Sequence, residues 1–175
     1  DGAASTAQGA FQYLPGTATT AQLVPIVLDV DTGRDHFRSQ ATLTNRGTTP
    51  VSAQLTYTPV FNDKGGGAID ITLGAGQQRV LDDVLGYLRA QGLPIPQASQ
   101  SAPQAATLAL RFSGASSVDA VAMTTRTGAE TASPQPVGRA GLAYSGVPSS
   151  QGVTTEATVF GLRHDDKDRS NVAVV

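Results

Sequence analysis

The chain has no cysteine, no tryptophan and a single methionine in 175 residues. Without thiols it can form no disulfide framework, no thiolate metal site and no cysteine nucleophile, so packing and hydrogen bonding must supply its stability. Charge is equally sparse: 12 Lys and Arg stand against 14 Asp and Glu, for a formal net charge of −2 and a pI near 5.5. No basic field is present to neutralise phosphates, which argues against nucleic acid and anionic membrane as partners. No apolar run approaches the roughly 20 residues that a spanning helix needs, so membrane insertion is not expected. Nothing resembles a signal peptide either, and Asp1 in place of an initiator Met fits a mature chain after signal removal.

What the chain does have is 39% hydrophobic residues, enough at this length for one good core with an appendage rather than two domains. Its abundance of Ala, Gly, Thr, Ser and Gln is that of many bacterial surface and secreted proteins, so an extracellular or cell-surface location is expected. The chain also partly repeats itself. Arg38-Ser39-Gln40-Ala41-Thr42-Leu43 returns as Arg169-Ser170-Asn171-Val172-Ala173-Val174, an offset of 169 − 38 = 131 residues. At that offset Ile26, Leu28 and Asp35 fall on Ala157, Val159 and Asp166. A spacing of this size matches one compact domain and predicts a tandem array entering its second unit.

Period-two alternation dominates. Phe37, Ser39, Ala41 and Leu43 alternate with polar residues, and after Asn45-Arg46-Gly47-Thr48-Thr49-Pro50 the pattern resumes with Val51, Ala53, Leu55 and Tyr57, predicting a hairpin. Further strands are expected at Gln22 to Val30, with Pro25 placing that stretch at an edge or strand start, and around Ile69, Ile71 and Leu73. Leu108, Leu110 and Phe112, then Val118 to Thr125, read as central strands because both faces carry small or apolar residues. Weaker strands are expected at Leu142 to Val147, Thr155 to Leu162 and Arg169 to Val175. The period changes once: Leu81, Val84, Leu85 and Leu88 predict one short helix, with Asp82 and Asp83 in its first turn, Arg89 near its last and Gly86 as a cost of about 1 kcal/mol. Residues 92–105 read as an extended connection and Gly128 to Arg139 as a loop. The expected fold is an all-β, antiparallel Ig-like β-sandwich with one short helix, plus an N-terminal arm and a C-terminal strand that begins a second repeat. The corresponding boundaries are 1–21 for the arm, 22–153 for the sandwich and 154–175 for the extra strands.

Three stretches carry a resemblance. They are Leu23 to Val27 followed by Phe37 to Asn45, the turn-to-helix run Gly74 to Leu85, and Met123-Thr124-Thr125-Arg126-Thr127. Together they resemble a secreted bacterial family of tandem Ig-like β-sandwich repeats of unassigned activity, in which a phe-arg-thr-asp-leu strand precedes a Gly/Pro turn. That resemblance implies a non-enzymatic extracellular module, often in tandem. The chain departs from the family pattern in lacking an aromatic in the first strand and in the loop Gly128 to Arg139.

Candidate chemistry is thin. Asp29, Asp31 and Asp35 alternate around Gly33, the kind of oxygen-rich loop a calcium ion requires, yet Gln40 stands where an EF-hand would place its bidentate glutamate. Asp165, Asp166 and Asp168 occupy the equivalent place in the partial second copy. A solvated acidic turn explains both loops equally well, and calcium is the one cofactor considered. His36 and His164 adjoin these loops, and a surface histidine is the simpler account, because no G-x-S-x-G elbow accompanies either. Gly65-Gly66-Gly67 after Lys64 reads as a hairpin tip rather than a phosphate cradle, since no Gly-Lys-Ser/Thr follows. Arg126 reads as a structural ion-pair partner more readily than a ligand contact. The aromatics, Phe160 among them, read as core.

Two functions follow. The first is a non-catalytic extracellular structural, adhesion or assembly module, not an enzyme, acting through β-strand pairing with neighbouring copies of itself or adjoining domains. Its interaction residues would be Arg169, Ser170, Asn171, Val172, Ala173, Val174 and Val175, a strand lacking the hairpin partner that its first copy has. The second is a carbohydrate- or peptide-binding module, calcium-assisted through Asp29, Asp31 and Asp35.

Overall fold

The computed structural model describes residues 20–60, 65–131, 141–153, 155–162 and 166. The arm up to residue 19 and the strand Arg169 to Val175 lie outside the described residues, as do Asp165, Asp168 and His164. The protein is an all-β antiparallel sandwich with one short helix. Its strands are β1 (Thr20–Asp31), β2 (Asp35–Asn45), β3 (Val51–Pro59), β4 (Gly67–Leu73), β5 (Gln78–Leu81), β6 (Gln104–Ser113), β7 (Val121–Thr131), β8 (Gly141–Ser145) and β9 (Val147–Pro148), and its helix is α1 (Val84–Ala90). One half runs β4-β3-β6-β1, with β9 added to β1. The other runs β5-β2-β7-β8, and the two halves are continuous only where Asp29, Val30 and Asp31 pair with Arg38, Phe37 and His36.

Period-two patterning is why the halves close on each other. Leu43, Val51, Leu55, Tyr57, Leu73, Leu108, Leu110, Phe112, Val121 and Met123 belong to one buried cluster drawn from both halves. β6 is buried along nearly its whole length between β3 and β1, as its two apolar faces require. Two buried amides stitch the halves together. Gln22 of β1 donates to the Val121 carbonyl and accepts from the Met123 N–H on β7, and its closeness explains Gly146, where a Cβ would stand 2.8 Å from the Gln22 Oε1. Asn45, fully buried at the end of β2, donates to the carbonyls of Thr49, Leu73 and Gly74 and accepts from the Gly47 N–H. Each satisfies backbone groups that would otherwise be buried without partners.

Several expectations change. Pro25 lies in the middle of β1 rather than at its start, in a stretch whose only ladder partner among the described residues is β6, so the edge position holds; the register against β6 slips between Val24 and Val27, and a bulge tolerates a residue without an N–H. β1 already includes Thr20 and Ala21, which the sequence assigns to the arm. β7 runs on to Thr131, because Gly128 to Thr131 pair with Arg38 to Asp35, so part of the expected loop is strand. The helix begins at Val84, with Leu81 in β5 and Asp83 as N-cap. Gly86 then has a positive role: the Asp83 carboxylate accepts its N–H at 2.8 Å, and a Cβ there would lie 2.6 Å from that carboxylate. Thr155 to Leu162 form no strand, and Phe160 is 87% exposed rather than core.

Candidate functional site

The β1–β2 hairpin places Asp29 and His36 diagonally across the ladder, His36 being opposite Asp31 and Asp29 opposite Arg38. Asp29 is 4% exposed, an unusual position for a carboxylate unless it is paired. Both of its oxygens are engaged. Oδ1 lies 2.6 Å from the His36 Nε2, and Oδ2 accepts from the Arg89 Nη2 at 2.7 Å. Arg89 arrives from the last turn of α1, where its charge also suits the helix C-terminus. Its Nε donates to the Ile95 carbonyl at 3.2 Å and its Nη2 to the Pro96 carbonyl at 2.8 Å. One guanidinium therefore ties α1, β1 and the 93–103 connection together.

The hairpin, α1 and that connection meet at one end of the sandwich. Leu93 and Ile95 anchor the connection in the core, and Gln100 lies over the hairpin tip, where a Cβ on Gly33 (φ +81°) would meet its side-chain amide. A Cβ on Gly65 (φ +90°) would stand 2.9 Å from the Ile95 Cα, so the glycine run before β4 meets this connection at Gly65. Tyr57 belongs to the same electrostatic neighbourhood. Burial pushes its phenol up to about 12, with Arg89 opposing and Asp29 adding to the rise, and its hydroxyl has no partner among the described residues.

A second buried polar link sits beside it. The Ser39 Oγ accepts from the Leu28 N–H at 2.7 Å and is hydrogen-bonded to the Thr127 Oγ1 at 2.6 Å, bridging β1, β2 and β7 where β1 lacks a strand neighbour on that side. The sequence signal for this was the polar Ser39 on the otherwise apolar inward face of β2.

The acidic residues considered for calcium are not brought together. Asp29 points inward to Arg89 and His36, while the Asp31 Oδ1 accepts from the Gly33 N–H at 2.6 Å and the Asp35 backbone closes the turn through Thr32. Among the described residues no group of three or more His, Cys, Asp or Glu is arranged to hold a metal ion, and Asp166 is exposed. His36 is correspondingly not a free surface histidine; its side chain is 29% exposed and bound to Asp29. Its described contacts include no hydroxyl nucleophile. Arg126 is exposed on β7 opposite Ala143, with no ion pair among the described residues. The signal for the Arg89 pairing was a basic residue in the last helical turn, which helix capping alone also explains.

No protein-family model matches the chain, and no curated protein matches it. Among solved structures it is similar to one described as "Crystal Structure of Thermotoga maritima 1070", at 10% identity and a TM-score of 0.47, over 75% of this chain and 96% of that one. No helix among the described residues is long and apolar enough to cross a membrane.

Proposed function

We propose that the chain is a non-catalytic structural module of the extracellular space or cell surface, which joins neighbouring copies or adjoining domains by β-strand pairing. One observation carries the reading: Val153, Val159, Phe160 and Leu162 are exposed, at 54% to 87%, and the described residues from 153 to 162 join no ladder. Most other large apolar side chains of the described residues lie in or against the single core. At the 131-residue offset two apolar positions of β1, Ile26 and Leu28, fall on the small or apolar Ala157 and Val159 of this stretch. A strand sequence without a sheet is unstable alone and gains its hydrogen bonds and cover by adding to one.

The charged cluster supports the same reading. The Asp29 carboxylate has both oxygens engaged, by Arg89 and His36, and so holds three elements together. Hydrogen exchange followed by mass spectrometry tests the proposal. The amides of residues 155–162 should become protected as the concentration of the chain rises; rapid exchange at every concentration overturns it.

A further inference from the structure

We infer that the free edge of β8 is the acceptor, and that its occupant is the segment 155–162 of a second copy of this chain; this rests on the strand-pairing reading above. β8 pairs with β7 along Gly141 to Ser145, and among the described residues no strand pairs with its other side. Leu142 and Tyr144 share a face, because alternate residues of a strand do. Tyr144 packs against the core, yet Leu142 is 65% exposed. The sandwich is therefore missing apolar cover at this corner.

The other open edges are blunted and this one is not. β4 carries Asp70 at its centre, and the four-residue β5 carries Arg79, whose guanidinium is bonded to the Tyr87 hydroxyl and stacked over its ring. β8 reads Gly-Leu-Ala-Tyr-Ser, with none of the charges or prolines that keep an edge from pairing. The segment Thr155 to Leu162 is longer than the five residues of β8 and like it in character. It has no proline and one charge, Glu156, and it would present Val159 on one face and Phe160 and Leu162 on the other. A second copy is the occupant that the topology favours. β9 carries the chain off β8 and onto β1 at Gln22 and Leu23 before the segment begins, and beyond it the segment stays exposed.

The absence of native cysteine makes disulfide trapping a clean test, performed on the full 175-residue chain. A Leu142→Cys chain mixed with a Phe160→Cys or Val159→Cys chain should form the mixed disulfide at least tenfold faster than does a Val80→Cys chain, whose thiol would also stand exposed, on β5. Leu142→Glu should weaken self-association at least tenfold with the melting temperature unchanged. Equal or reversed trapping rates, with residues 155–162 still protected at high concentration, overturn the assignment of β8 and leave strand pairing standing. A Leu142→Cys/Phe160→Cys double variant that closes within a single chain at high dilution overturns the second copy as occupant. No preferential trapping together with no protection overturns both the inference and the reading beneath it.

Discussion

The Asp29–Arg89 pair can be weighed by a double-mutant cycle with Asp29→Ala and Arg89→Met. Removing Asp29 leaves a guanidinium only 13% exposed without its counter-charge, and His36 without its partner, which for a buried pair costs roughly 3–5 kcal/mol. Removing Arg89 strands the Asp29 carboxylate and also frees the carbonyls of Ile95 and Pro96, each hydrogen bond being worth about 1 kcal/mol net. Arg89→Met should therefore cost as much as Asp29→Ala or more. The double variant leaves neither charge stranded, so it should be about 2 kcal/mol more stable than the sum of the single losses predicts. Urea unfolding measures all four species, and for a domain of this size about 1 kcal/mol moves the melting temperature by roughly 4 °C. Strict additivity, or a loss below about 1 kcal/mol for Arg89→Met, would refute the idea that this guanidinium fastens the helix and connection to the hairpin.

Four further outcomes are expected. Tyr57 is held protonated by burial, its phenol rising from 10 to about 12, so its contribution is present below about pH 10 and lost as pH climbs toward 12. At roughly 1.4 kcal/mol per pH unit, the wild type should lose stability over that window by an amount that Tyr57→Phe abolishes, and parallel alkaline limbs for the two proteins would contradict this. Ser39→Ala should cost roughly 1–3 kcal/mol in denaturant melts by leaving the Leu28 N–H buried and unpaired, with Thr127 losing its partner too. Asn45→Ala removes an amide bonded to three carbonyls and one N–H, and a loss of roughly 2–4 kcal/mol is expected from the same measurement. Gly86→Ala, which in an ordinary helix would gain about 1 kcal/mol, should instead lower the melting temperature, because the new Cβ displaces the Asp83 cap.

The strands were legible because period-two alternation is a local property of the chain. Val51, Ala53, Leu55 and Tyr57 all point inward in β3, as do Val121 and Met123 in β7, where the sequence puts them. Pro25 marked a stretch of β1 open on one side, but not its bulge, because a bulge is made by two strands in register and nothing near Pro25 records what β6 does opposite it. Thr155 to Leu162 misled for the related reason that alternation describes a strand's faces but supplies no partner for its edges.

The candidate site was the least legible part. Asp29, Asp31 and Asp35 looked alike as a spaced acidic set, yet burial separates Asp29 from the other two by placing it beneath α1 and the 93–103 connection. Its decisive partner, Arg89, lies 60 residues further along the chain, and only the folding of α1 against β1 and β2 brings them together.

Alone, the order of the residues settled an antiparallel β architecture, one short helix and the lack of thiol chemistry, since each depends on composition or on spacing within a few positions. The closing of two half-sheets over one core, the burial of Asp29 between Arg89 and His36, the stitching by Gln22 and Asn45, and the bare corner at Leu142 were decided by the tertiary structure. All of these are contacts between distant segments, whose energies exist only once the chain has brought those segments within reach of each other.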